Sequence, residues 1–398
     1  GGDSKKYTDL KSQLYEIHKF ASNYYEKNLL SDVNKNALSY LTERGLSLDI
    51  IQKFKLGFSP DSFDDLLKEL RKKTFSAEAM KLSGLFIKTE KGYMNRFRSR
   101  IMFPIQNQKG DIIAFGGRIF NKDDPAKYQN SPETPIYLKS HVLYGINHNI
   151  QAIREKKEII LVEGYMDLLQ LVQADINNCL AISGTAFTDG HAAILKRFTK
   201  NIFITFDGDD AGKKAAIKCG YILTSNTLNP KIITPPNGMD PDDWVREGGK
   251  DTIEKGIKGS EALIKTHYNY FASTNPEGAL TINNFIQECL EELVHIKDPI
   301  ILELMIKEIS ELTSIDQNNI THVFNEKLEK RSKYKTFQTE DKDLSNTTIN
   351  NNTFSSKIYD DLIRLCFSKE KNIRELIFEN LNKDWILSET HKNIYDAV

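Results

Sequence analysis

The chain has 398 residues, 39% hydrophobic and 27% charged, which excludes disordered and fibrous classes and leaves room for two or three domains. Its 54 Lys+Arg against 55 Asp+Glu give a net charge of −1, which names no partner but is compatible with strong local separation of charge. No run approaches the roughly 18 apolar residues of a membrane helix, and Gly1-Gly2-Asp3-Ser4-Lys5-Lys6 carries no apolar signal core, so neither a membrane nor secretion is indicated.

Residues 8–82 read as helical. Leu10, Leu14, Ile17 and Phe20 recur at helical spacing. Gly45, after Ala37, Leu38 and Leu41, suits a helix stop, and Ser47 caps a short helix carrying Ile50, Ile51 and Phe54. Residues 101–105 and 111–115 predict two strands joined by the Asn107–Gly110 hairpin turn. Residues 158–248 then alternate strand and helix four times. Strands are expected at 158–162, 179–182, 202–206 and 231–234, with helices at 165–174, 188–198, 211–223 and 241–247. Such alternation argues a parallel sheet covered on both faces. Residues 261–333 have helical periodicity, 334–355 are polar and read as a linker, and a helical pattern restarts at Ile358.

Acidic residues mark the ends of three of the four strands: Glu163 with Asp167 beyond it, Asp207-Gly208-Asp209 with Asp210, and Asp240-Pro241-Asp242-Asp243. Active sites collect at the carboxyl ends of parallel strands, so the three groups should converge. Crowded carboxylates repel unless cations lie between them, and divalent ions with phosphate substrates suit such a rim. Helix N-caps stabilised by the helix dipole are the plainer explanation for any one acid, with Asp210 and Asp243 evenly open to it. Gly164 and Gly208 are expected to let backbone approach a ligand closely.

Residues 86–139 hold ten Lys/Arg and five Asp/Glu, a local excess of five positive charges, interleaved with aromatic residues. Positive charge with rings suits single-stranded nucleic acid. Phe103 and Phe115 are expected in the core instead. Tyr128, taken to lie in a polar loop, is open to either role. The eight histidines show no ligand spacing, and Ser183-Gly184-Thr185 is either a phosphate contact or a tight strand-to-helix turn.

Leu161-Val162-Glu163-Gly164-Tyr165-Met166-Asp167 and Phe206-Asp207-Gly208-Asp209-Asp210-Ala211-Gly212 resemble the Toprim domain. Several further segments resemble the DnaG-type primase branch of that superfamily. They are Tyr40–Leu46, Arg96–Ile105, Phe115–Arg118, Lys127–Thr134, Lys139, Leu143–Gly145 and Met239–Trp244. The resemblance covers about residues 8–330. It implies a mixed α/β fold: a central Toprim parallel sheet with helices on both faces, an N-terminal α+β subdomain and a C-terminal helical subdomain. The corresponding divisions are 1–150, 151–248 and 249–333, then a 334–355 linker and the start of a helicase-binding domain at 356–398.

The implied activity is template-directed synthesis of short RNA primers on single-stranded DNA from ribonucleoside triphosphates. Glu163, Asp207 and Asp209 would be catalytic and hold Mg²⁺ or Mn²⁺, with Asp167, Asp240 and Asp242 as further metal residues. Arg44, Arg98, Arg118, Lys127, Tyr128, Asn130 and Lys139 would bind nucleotide or template. Arg96 and Arg100 match the motif without a fixed place in the groove. The resemblance further implies a replicative helicase as partner and a cytoplasmic, nucleoid-associated location. The family normally begins with a zinc ribbon. Cys179, Cys219, Cys289 and Cys366 have no CxxC spacing, so zinc is expected only in a ribbon that this sequence lacks. Competing readings are another Toprim enzyme, a nuclease or topoisomerase, and a non-catalytic DNA- or helicase-binding module. The primase motifs upstream of residue 150 have no place in the former, and all three acidic motifs are intact against the latter.

Overall fold

The structure, a computed structural model, describes residues 2–90, 92–120, 126–275 and 278–343. It divides into two units, residues 1–324 and 325–398. Three helices open the first: α1 (Gly2–Leu29), α2 (Lys35–Glu43) and α3 (Leu48–Lys53). Gly45 ends α2 at φ +87°, a left-handed conformation that disfavours side chains, and the Ser47 hydroxyl caps α3 by accepting from Ile50 N–H. Next come β1 (Gly57–Ser59), α4 (Asp65–Arg71), α5 (Ala77–Leu82), β2 (Phe86–Thr89), β3 (Gly92–Asn95), β4 (Arg100–Gln106), β5 (Ile112–Ile119) and β6 (Tyr128–Asn130).

The expected β4–β5 hairpin is present, but the sequence reading missed four strands around it. β1 lies inside the stretch expected to be helical. It is only three residues long and is defined by pairing with β4, a non-local contact that periodicity does not register. β6 likewise exists because Tyr128–Asn130 pair with Arg118–Gly116, so Tyr128 lies on a strand and not in a loop. β2 and β3 form a separate two-stranded hairpin.

The second half contains α6 (Ile146–Lys156), β7 (Glu158–Val162), α7 (Tyr165–Gln173), β8 (Cys179–Ala181), α8 (Asp189–Leu195), β9 (Asn201–Ile204), α9 (Asp210–Ser225), β10 (Asn229–Ile232) and α10 (Pro241–Lys258). Then follow β11 (Glu261–Ala262), α11 (Leu263–Thr274), α12 (Ala279–Leu293), α13 (Pro299–Thr313) and α14 (Gln317–Asp343). The sheet order is β11-β10-β9-β7-β8. Strands β10, β9, β7 and β8 are parallel, as expected, and β11 adds an unexpected antiparallel edge.

Alternation along these strands separates two cores. Ile159, Leu161, Leu180, Ile202, Ile204 and Ile232 pack with α8, α9 and α11–α13. Ile160, Val162, Cys179, Ala181 and Phe203 pack with α7 and with Ile101, Phe103 and Ile105 of β4. Period-two side chains thus cement the parallel sheet to the C-terminal helices on one face and to the N-terminal subdomain on the other. A third core joins Ile17, Ala21 and Tyr25 of α1 to α4 and to Met102 and Phe115, so Phe103 and Phe115 are core residues as expected.

Residues 334–343 of the expected linker continue α14. Residues 344–355 and the expected helicase-binding start at 356–398 lie outside the described residues. Cys179, Cys219 and Cys289 are buried free thiols. Among the described residues, no helix is long and apolar enough to cross a membrane.

Candidate active site

β10, β9 and β7 are sheet neighbours, so the loops at their carboxyl ends lie side by side. Glu163 and Gly164 follow β7, Asp207–Asp209 follow β9, and Asp240 stands just before α10, beyond β10. Gly208 N–H donates to the Met239 carbonyl at 3.2 Å, tethering the Asp240 loop to the Asp207 turn. A Cβ at Gly208 would lie 2.8 Å from Gly238 Cα. That glycine therefore serves backbone-to-backbone contact. Gly164 also serves the fold: its N–H donates to Asp167 Oδ2 at 2.8 Å.

These carboxylates line a hollow of about 250 Å³. Glu163, Asp167, Asp207, Asp240 and Asp242 form one wall, and Arg44, Arg118, Lys127, Tyr128 and Asn130 of the N-terminal subdomain form the other. Burial raises the Glu163 carboxyl to about 7, with Asp207, Asp209 and Asp240 adding to the shift. Burial, then Asp240 and Asp209, raise Asp207 to about 6, while Lys127 pulls it down. Burial raises Asp240 too. Carboxylates held above their ordinary range by burial and by one another's charge are stabilised by a cation, which offsets the desolvation and relieves the repulsion.

Glu163 Oε1 and Asp242 Oδ1 are buried and accept no hydrogen bond, so hard oxygen donors stand ready for a cation. Among the described residues, no group of three or more His, Cys, Asp or Glu side chains is arranged to hold a metal ion. A Mg²⁺-like ion needs none, since it is held by one or two carboxylates with water and phosphate oxygens. The donor set therefore fits such an ion.

The acids differ in what they touch. Asp167 is buried at the third position of α7, and both its oxygens accept backbone N–H groups, from Gly164 and from Asp242 at 3.2 Å. Burial and Asp207 nevertheless raise its carboxyl to about 7. Asp209 is exposed and caps α9, accepting from Gly212 N–H at 2.7 Å. Asp242 Oδ2 meets Arg44 Nη2 at 2.5 Å. Burial alone would lower Arg44, but the Asp242 charge and hydrogen bond outweigh it and raise it. Asp243 pairs with Arg246, and Asp210 with Lys214 and Tyr270. Both lie in the first turn of a helix, but the N-cap positions expected for them belong to Asp240 and Asp209.

On the basic wall, Arg118 is buried, its guanidinium 5.5 Å from the Tyr40 ring and 5.6 Å from the Tyr128 ring. Burial raises the Tyr128 hydroxyl to about 12. Asn130 joins the walls: its Oδ1 accepts from the Tyr165 hydroxyl, and its Nδ2 donates to the Ser183 carbonyl, each at 2.8 Å.

A family model for the DNA primase catalytic core, N-terminal domain, matches residues 24–150, and a Toprim-like model matches residues 160–245. A solved DNA primase domain from Pseudomonas aeruginosa is 35% identical with a TM-score of 0.72, covering 78% of this chain and 99% of that one. The chain belongs to the DnaG-type DNA primase family. A solved DnaG primase catalytic domain bound to single-stranded DNA is 30% identical with a TM-score of 0.69, covering 78% of this chain and 99% of that one. The DNA primase of Clostridium acetobutylicum is 32% identical over 97% of this chain and 64% of its own length. That of Listeria monocytogenes is 35% identical over 77% of this chain and 50% of its own length. The chain thus spans half to just under two thirds of these curated primases.

Within this primase core, Arg98 and Lys139 do not line the hollow. Ser99 takes φ +48° just before β4, and Arg98 lies over the Phe63 ring at 4.0 Å, with Nε 3.9 Å from Asp61. Lys139 lies in a short 3₁₀ turn, its N–H donating to Glu133 and its carbonyl bonded to His191 Nε2. Arg96 bonds the Gly84 carbonyl, and buried Arg100 bonds those of Gly117 and Ala126, so both hold the fold. Sequence reading missed Tyr40 beside Arg118 and Phe63, which is 62% exposed under Arg98. An aromatic in the polar run Ser62-Phe63-Asp64-Asp65 was the available signal. It also left Ser183 undecided. Ser183 lines the hollow at φ +56°, and its N–H donates to the Glu163 carbonyl at 2.7 Å.

Proposed function

We propose that this chain is the polymerase core of an enzyme that copies single-stranded DNA into short RNA primers from ribonucleoside triphosphates. The observation that carries this reading is one hollow with opposed walls. Glu163 Oε1 is buried and unpartnered on the acidic side, and Arg44 Nε is in the same condition on the basic side. A triphosphate supplies what both walls lack, since its oxygens accept from guanidinium groups and share divalent cations with carboxylates.

Glu163 and Asp207, with Asp209 and Asp240 beside them, would hold Mg²⁺ or Mn²⁺, and Asp242 has Oδ1 to contribute. Such ions, when bound, stabilise the attacking and leaving oxygens of phosphoryl transfer. Asp167 acts through its two backbone bonds, fixing Gly164 and Asp242. Arg44, Arg118 and Lys127 neutralise phosphate charge and orient the nucleotide, and Asn130 and Tyr128 shape the wall that it meets. Positioning of this kind is the main protein contribution to phosphoryl transfer besides charge stabilisation. Phe63 beneath Arg98 is a stacking platform for a template base. Membership of the family supports, as part of the same proposal, a replicative helicase as partner and a cytoplasmic, nucleoid-associated place of work.

The test is template-dependent ribonucleotide incorporation by the Glu163→Gln and Asp207→Asn variants. Loss of synthesis with retained single-stranded DNA binding supports the assignment. Near-wild-type synthesis by either variant refutes it.

A further inference from the structure

Helix α7 carries Tyr165, Met166, Leu168, Leu169, Leu171 and Val172, all buried in the apolar core between the sheet and the N-terminal subdomain. Asp167, Gln170 and Gln173 interrupt this apolar surface at three-residue spacing, so they form one polar stripe. Gln170 is 3% exposed, and a buried amide is costly unless each of its groups finds a partner.

Their partners lie in one place. Gln170 Nε2 donates to the Arg44 carbonyl at 2.7 Å. Gln173 Nε2 donates to the Gly45 carbonyl, and Gln173 Oε1 accepts from Ser47 N–H at 2.7 Å. Arg44 and Gly45 end α2, Ser47 starts α3, and Gly45 sits at φ +87°. The turn therefore has orphan helix-end groups, and two glutamines of a different subdomain satisfy three of them. The same helix holds Asp242 through Asp167, so both members of the Arg44–Asp242 pair are referenced to α7.

We propose that Gln170 and Gln173 are positioning residues that set Arg44 in the nucleotide hollow. A two-point clamp fixes the turn in height and rotation, which one hydrogen bond does not. The inference rests on the proposed function, because it takes Arg44 as a nucleotide contact.

The experiment measures steady-state primer synthesis by the full chain carrying Gln170→Met, Gln173→Met, both, or Arg44→Ala, with melting temperatures alongside. Methionine keeps the volume and removes the hydrogen bonds. Each glutamine variant should raise the nucleotide KM about three- to tenfold, the effect of one or two such bonds, with kcat held within about twofold. In the Arg44→Ala background the glutamine changes should add nothing further, as expected of residues that act through a shared partner. An unchanged KM in the glutamine variants, or the same KM increase with and without Arg44, overturns the inference while the function stands. An unchanged KM for Arg44→Ala removes the underlying assignment and the inference with it. Should Gln170→Met melt well below the parent, Gln173→Met, at the half-buried end of the helix, decides alone.

Discussion

Replacing Arg44 by methionine isolates what it costs to leave Asp242 without its counter-charge. The Asp242 side chain is 5% exposed, that of Arg44 is 31% exposed, and their closest atoms are 2.5 Å apart. Unit charges about 4 Å apart attract by about 4 kcal/mol at an effective dielectric constant near 20. Removing one partner of a fully buried pair costs about 3–5 kcal/mol. Solvent screening at the exposed end of Arg44 trims this to about 2 kcal/mol. Asp242→Asn alone leaves a cation that water can reach, at about 1 kcal/mol. The double variant should lose no more than Arg44→Met alone, because its buried group is neutral. Denaturant unfolding of the full chain in a chelator, at low and high salt, measures all three. Salt should change the Arg44→Met cost little, since the carboxylate is sequestered from ions. Single costs that add in the double variant to within about 0.5 kcal/mol would refute the reasoning.

Three further outcomes are expected. His18 is buried against Phe115, with Nδ1 2.7 Å from the Leu14 carbonyl, and burial lowers it from 6.5 to about 4. It contributes nothing to pH dependence above 6.5, where both states are neutral. Stability is lost as pH falls from 6.5 towards about 4, on the order of 3 kcal/mol in total, because only the unfolded chain takes the proton. Acid titration of the unfolding midpoint should show a shallower fall for His18→Phe, and parallel curves would contradict this. Gly116→Ala should cost about 1–3 kcal/mol by overpacking, because the new methyl falls within the Tyr165 ring's contact radius. Thermal melting measures it, and Tyr165→Leu in the same chain should recover part of the loss. Phe63→Ala should weaken binding of a single-stranded oligonucleotide by about tenfold, the worth of one stacked base, with unchanged melting. Equal affinity by fluorescence anisotropy would remove Phe63 from the template path.

The acidic wall was legible because Glu163 and Asp207 follow apolar strands, Asp240 follows the loop after the next one, and parallel sheets gather strand ends. Phe103 and Phe115 were legible as core because each lies in a short apolar run, Ile101–Ile105 and Ile112–Phe115. The basic wall was only partly so. A charge excess over residues 86–139 located the wall but could not separate the lysines and arginines facing the hollow from Arg96 and Arg100, which bond backbone carbonyls inside the fold. Arg98 and Lys139 illustrate the same limit, since a positive φ at Ser99 and a 3₁₀ turn decide what they meet.

Sequence alone therefore determined the strand–helix alternation of residues 158–248, the two opposed charged segments and the family, all of which are carried by short-range patterns. Tertiary structure decided the strands β1, β6 and β11, whose existence depends on partners far along the chain. It also decided the division of labour among the carboxylates. Asp167, Asp209 and Asp242 are chemically alike in sequence, yet one fixes backbone, one caps a helix and one faces Arg44 across 198 positions of chain. Which hydrogen-bond partner reaches a carboxylate is settled by packing between subdomains, and no local pattern encodes that.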